Sequence, residues 1–155
     1  QIDAALAENP EEKVLTFACN WCSYAGADQA GIEKRQYPDR LRIVRTMCSG
    51  RIDEKFVEHA FEQGAGAVLV TGCHIGDCHY IDANHYTEER YERLKAKKER
   101  DEDFDADRLQ LEWVSAAEGQ KFAAAVTRID DVVAKYVESK PEARADGGPE
   151  EGEGQ

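Results

Sequence analysis

Five cysteines, Cys19, Cys22, Cys48, Cys73 and Cys78, are the residues of this chain whose type and spacing could do chemistry. The first two form Cys19-x-x-Cys22, and the last two stand in the loop Gly72-Cys73-His74-Ile75-Gly76-Asp77-Cys78-His79-Tyr80. The first ten residues carry neither a basic n-region nor an apolar h-region, so no signal peptide is expected. Cytoplasmic thiols stay reduced, and an odd count in that setting points to metal binding or redox chemistry over a disulfide scaffold. Zinc takes four Cys or mixed Cys/His ligands in a tetrahedral shell. A 2Fe–2S cluster takes four Cys at varied spacings. A redox dithiol needs only Cys19-x-x-Cys22, with one thiolate stabilised at a helix N-terminus. Zinc and dithiol leave several thiols unexplained, the cluster uses four, and buried structural cysteines are the bland alternative. Spacing leaves all of these open.

The elements that must position these thiols are short apolar runs alternating with helical patterns. Strands are predicted at 14–18, 41–45, 67–71 and 109–114. Ala67-Val-Leu-Val-Thr71 is continuously apolar, as in a central strand buried on both faces, whereas Leu109-Gln-Leu-Glu-Trp-Val114 alternates and belongs nearer an edge. Helices are predicted over 21–33, from an Asp53 cap to Gly64, and over 85–100. A last one follows a Ser115-x-x-Glu118 capping box with Phe122, Val126, Ile129, Val133 and Tyr136 on one face. This order predicts an α/β single domain, a four-stranded parallel sheet flanked by helices, flavodoxin-like or Rossmann-like. Cys19 and Cys22 then follow the first strand, Cys48 the second, and Cys73 and Cys78 the third. All five are expected at the carboxyl edge, where open α/β sheets place their ligands, although up to 59 residues separate them in sequence.

Composition sets the outer bounds. The 155 residues suit one domain; 41% are hydrophobic and 34% charged. Twenty basic against thirty-two acidic residues give −12, which argues against nucleic acid or an anionic membrane as partner. No apolar run is long enough to span a bilayer. Residues 1–12 read as a loose N-terminal arm, 13–137 as the folded domain, and 138–155, with six acids against two bases, as a disordered acidic tail.

Around the thiols, the glycines of the third loop permit tight backbone with N–H groups pointing inward. Arg45 and Arg51 would offset the negative charge of a four-thiolate site. His74 and His79 are expected to fix the loop by hydrogen bonds in preference to acting as ligands, and Asp77 to brace its turn. Trp21 would shield the site or cover a partner surface. Ser115 has a capping role, and the charge-laced face at 88–98 reads as solvated. No Gly-x-Gly-x-x-Gly or P-loop supports a nucleotide site.

Over about 13–136 the chain resembles the delta subunit family of methyl-viologen-reducing hydrogenase. The stretches that carry the likeness are Cys19-Asn-Trp-Cys-Ser-Tyr-Ala-Gly-Ala-Asp28, Arg42-Ile-Val-Arg-Thr-Met-Cys-Ser-Gly-Arg51, the 72–80 loop, and Trp113-Val-Ser-Ala-Ala-Glu-Gly119. The N-terminal arm and acidic tail depart from it. The resemblance implies one 2Fe–2S cluster held by four of the five cysteines. Cys48, the only one unpaired in its own loop, is the expected spare. The resemblance also implies an electron-transfer role without substrate chemistry of its own. Electrons would come from a hydrogenase or formate dehydrogenase and pass to the flavin-bearing subunit of a heterodisulfide reductase, where bifurcation occurs. The rival is a zinc-stabilised adaptor that moves no electrons.

Overall fold

A computed structural model describes residues 1–140; the acidic tail from 141 onward lies outside the described residues. Four strands, β1 (Val14–Cys19), β2 (Leu41–Thr46), β3 (Ala67–Gly72) and β4 (Leu109–Trp113), alternate with helices. Those helices are α1 (Ile2–Ala5), α2 (Ser23–Ile32), α3 (Glu54–Glu62), α4 (Ala83–Glu99) and α5 (Gly119–Ser139). All strand pairs are parallel, in the order β2-β1-β3-β4. This is the flavodoxin-like order, and its direction reverses between β1 and β3.

The central strands β1 and β3 are buried along their whole length, while β2 and β4 at the edges are only partly so. Alternation along each strand divides the core into two layers. Leu15, Phe17, Val68 and Val70 face α3 and α4, and Val14, Ala67 and Leu69 face α2 and α5. Asp53 caps α3 as expected, its Oδ1 accepting from Lys55 N–H at 2.9 Å. Gly64 ends the helix with φ +89, a conformation that costs glycine nothing.

Helices α2 and α5 cross in close contact because small residues meet there. A Cβ on Gly119 would stand 2.6 Å from the backbone nitrogen of Ala30, and one on Gly26 would stand 2.8 Å from the Ser115 carbonyl. Gly119→Ala is therefore expected to destabilise the chain by about 1–3 kcal/mol, the usual cost of overpacking. In urea the midpoint falls with the slope unchanged; an unaltered midpoint would contradict the close approach.

Three expectations are corrected. Residues 1–12 are not a loose arm, because Ile2, Ala5 and Leu6 recur at helical spacing and pack onto the core, Leu6 being buried. A Pro10–Glu12 turn follows, and its Pro10 carbonyl accepts from Gly66 N–H. The last helix extends to Ser139, two residues into the expected tail. It starts at Gly119, not at a Ser115 cap. Glu118 does reach back to Ser115 N–H, at 2.7 Å, but residues 115–118 form a turn ahead of the helix. The charged face of α4 is exposed, as expected, and Arg93 and Lys97 on it pair at the surface with Glu54 and Glu58 of α3.

Candidate metal centre

Cys19 is the last residue of β1, and Cys73 directly follows β3, the strand beside it. The point at which the strand order reverses therefore brings together the loops carrying Cys19, Cys22 and Cys73. Their three sulfurs lie within 4.8 Å of one another, with 3.9 Å between those of Cys19 and Cys73. All three residues are buried, and among the described residues no carboxylate or imidazole joins this trio. Cys48, in the loop after β2, is also buried, and Cys78 is partly exposed. All five are free thiols.

Backbone N–H groups converge on the sulfurs. Gly50 N–H donates to Cys48 Sγ at 3.4 Å. The hydrogen bond from the Cys22 thiol, helped by the N–H groups of Trp21 and Ser49, draws the Cys19 thiol down to about 5 against the opposing effect of burial. Cys22 moves up as the other side of the same bond, with burial adding to it. Burial raises Cys73. Burial, with the nearby Cys19 and Cys78 thiols adding to it, pushes Cys48 up to about 11. The protein thus favours one thiolate at Cys19, and further deprotonation needs a cation among the sulfurs.

Buried hydroxyls beneath the thiols fix the loops, a layer that sequence inspection missed. Cys19 N–H donates to Ser23 Oγ at 2.9 Å, and Thr71 Oγ1 donates to Ser23 Oγ at 2.8 Å. Thr87 Oγ1 donates to Ser49 Oγ at 3.1 Å. Asn84, fully buried at the start of α4, donates from Nδ2 to the carbonyls of both Cys73 and His74. Ser23 and Ser49 are visible in the sequence only as polar punctuation, and Asn84 gives no signal there.

In the third loop, Gly76 takes φ +92 inside a turn closed by Asp77 N–H on the His74 carbonyl, the arrangement of a type II turn. Asp77 thus braces the turn through its main chain. A Cβ on Gly72 would stand 2.8 Å from Ser49 Oγ, so this glycine serves close approach, not positive φ. His74 Nε2 lies 2.6 Å from Glu118 Oε2, a loop-fixing role as expected. The ring of His79 stacks on Trp21 at 3.8 Å, and Trp21 Nε1–H donates to the Tyr80 hydroxyl, so both histidines have aromatic or carboxylate partners.

Glu118 accepts from Ser115 N–H and pairs with His74, which together hold its carboxyl down to about 2 from an ordinary 4.5. A depressed carboxyl pKa contributes stability that is present above about pH 4.5 and is lost as pH falls toward 2. Glu118→Gln is expected to flatten that acid limb in thermal melts of the metal-free chain; an identical limb would show the contact to be idle.

Parallel strands that gather buried thiols from the loops on either side of the switch point define a doubly wound α/β protein with a thiolate centre on its carboxyl rim. The chain belongs to the FlpD family, described as methyl-viologen-reducing hydrogenase, delta subunit, whose profile matches residues 14–136. Among its relatives is the iron-sulfur subunit of the vhc F420-non-reducing hydrogenase of Methanococcus voltae. It is 45% identical over 128 residues, spanning 83% of this chain and 88% of that protein. The corresponding iron-sulfur subunit of the F420-non-reducing hydrogenase of Archaeoglobus profundus is 39% identical over 130 residues, 84% of this chain and 94% of that protein. A third relative is one of the subunits of the ferredoxin:CoB-CoM heterodisulfide reductase of Methanosarcina mazei. It is 43% identical over 128 residues, 82% of this chain but only 16% of that much longer protein. No helix among the described residues is long and apolar enough to cross a membrane.

Proposed function

We propose that this chain is an electron-transfer subunit whose rim holds one 2Fe–2S cluster on four of Cys19, Cys22, Cys48, Cys73 and Cys78. The observation that carries the reading is the buried trio of sulfurs, within 4.8 Å of one another, contributed by loops more than fifty residues apart. The donor set fits the group: Cys19, Cys22 and Cys73 supply three thiolates, and the fourth comes from Cys48 or Cys78, whose thiols neighbour each other and the trio. The cluster supplies one-electron carriage and requires neither a proton donor nor a substrate pocket beside it. The chain's own part is to hold the thiolates, exclude water by burial, and direct the N–H groups of Trp21, Ser49 and Gly50 at sulfur, one of the levers that set a potential.

The names of the relatives support iron over zinc, and they support the place in a chain of carriers. Electrons enter from a hydrogenase or formate dehydrogenase component and leave for the flavin-bearing subunit of a heterodisulfide reductase of the bifurcating type, in the cytoplasm. That a heterodisulfide reductase polypeptide contains a stretch like this chain supports the second assignment. The zinc-stabilised adaptor is the competing reading. Anaerobically purified protein is expected to be coloured, to contain about two iron atoms per chain, and to give an EPR signal on reduction. A colourless, EPR-silent sample holding zinc would reject the proposal.

A further inference from the structure

Two tight turns, each opening on a cysteine, meet ring to ring beside the thiols. Cys22 N–H closes on the Cys19 carbonyl at 3.4 Å, which puts Trp21 inside the first turn. Ile81 N–H closes on the Cys78 carbonyl at 2.9 Å, which makes His79 and Tyr80 the central residues of the second. The Trp21 indole and the His79 imidazole are stacked, 3.8 Å apart and 14° from parallel, and the His79 and Tyr80 rings meet edge to face at 5.0 Å. Trp21 Nε1–H donates to the Tyr80 hydroxyl at 3.3 Å, across 59 residues of sequence. The two stacked residues also carry main-chain N–H groups that face the buried trio. That of Trp21 is directed at Cys19 and that of His79 at Cys73, and the two sulfurs are 3.9 Å apart. Ring and N–H of one residue share a Cα, so holding the ring limits the rotation of the N–H. Trp21 is 44% exposed and Tyr80 46%, so core packing does not account for this contact.

We infer that the Trp21–His79 stack is a positioning device that ties the loop of Cys22 to the loop of Cys78 and thereby holds two N–H groups on the sulfurs of Cys19 and Cys73. Trp21 and His79 are positioning residues and not ligands. The inference deepens the function proposed above and rests on it. An N–H aimed at sulfur stabilises the extra negative charge of a reduced cluster, so each donor raises the potential. Loss of the stack therefore lowers it. A ring pair serving only as a cover would act with the opposite sign, because water admitted by its removal also stabilises the more negative, reduced state. The sign of the shift separates the two.

The test is an EPR-monitored redox titration of the anaerobically purified chain, with iron counted in every sample. Trp21→Ala and His79→Ala are each expected to make reduction about fivefold less favourable, roughly 40 mV more negative at about 59 mV per tenfold change. The double variant is expected to go no further, since either substitution alone removes the shared contact. Trp21→Phe and His79→Phe keep two stacked rings and are expected to stay within about twofold of the unaltered chain. A potential that rises, one that stays put in both alanine variants, or shifts that add in the double variant would overturn the device. A second readout needs no cluster. In the metal-free chain the Trp21 indole N–H, one of two indole N–H groups present, is expected to exchange with water about fivefold faster in His79→Ala and at its ordinary rate in His79→Phe. Exchange that His79→Ala leaves unaltered also overturns the device. A purified chain without iron defeats the function proposed above, and indole exchange then still decides whether the stack ties the loops.

Discussion

Serine at Cys19, Cys22 or Cys73 is expected to leave the purified chain with under about a tenth of its iron, since ligand loss exceeds even the 10–100-fold effects of residues behind a ligand. A serine hydroxyl does not ionise near neutral pH as these thiols do once a metal is present. The three sulfurs form one mutually close set, so each shares its metal neighbours with the other two. Among the described residues no carboxylate or imidazole stands within that set to take over. Cys48→Ser and Cys78→Ser are expected to behave differently from each other: one loses the cluster, the other keeps the full iron content and the EPR line shape. The expected spare is Cys48, the more buried of the two. Iron retained after substitution at any of Cys19, Cys22 or Cys73 would break the four-thiolate assignment. Retention in both single variants would overturn the expectation that one of the two is obligatory, and would mean that Cys48 and Cys78 each supply the fourth thiolate in the other's absence.

Asn84→Leu has the second large effect, although Asn84 touches no sulfur. Its side chain is wholly buried and donates at 3.0 Å to the Cys73 carbonyl and at 2.8 Å to the His74 carbonyl. Leucine matches its size but leaves both carbonyls without those donors, at about 1–3 kcal/mol for each buried group left unmade. The denaturation midpoint should fall accordingly. The third loop is anchored at those two carbonyls, so Cys73 is displaced from Cys19 and iron is lost faster to a chelator. Asn84→Asp separates the two effects: it keeps the volume, removes the donors, and places a carboxylate under two carbonyls, so it should be at least as damaging. Unchanged chelation kinetics in both variants would show that the loop holds itself.

Much of the fold is legible in the sequence because its signals are local. The continuous apolar run 67–71 marks a strand buried on both faces, the alternation at 109–114 an edge, and the Asp53 cap and Gly64 stop bound α3. The start of α5 is not legible in this way, because a capping box is a pattern of types, and Glu118 satisfies Ser115 N–H without Ser115 opening the helix. The N-terminal segment hides its order because a helix of four residues has no stability apart from the core against which Leu6 packs. Arg108 carries no signal at all. It is buried, donates to the Ala65 and Gly66 carbonyls, and lies 3.7 Å over the ring of Tyr136, partners distant in sequence.

The cysteine spacings and the strand–helix alternation by themselves determined that a thiol-rich centre sits on the carboxyl rim of a parallel sheet, because both are read one element at a time. Tertiary structure alone decided which thiols stand closest. Strand order is a choice between pairings of similar local propensity, and placing β1 beside β3 joins Cys19 and Cys22 to Cys73 while Cys48 enters from the flank. It also decided what supports them, since Asn84, Ser23 and Thr71 become neighbours of the site only after the chain has closed.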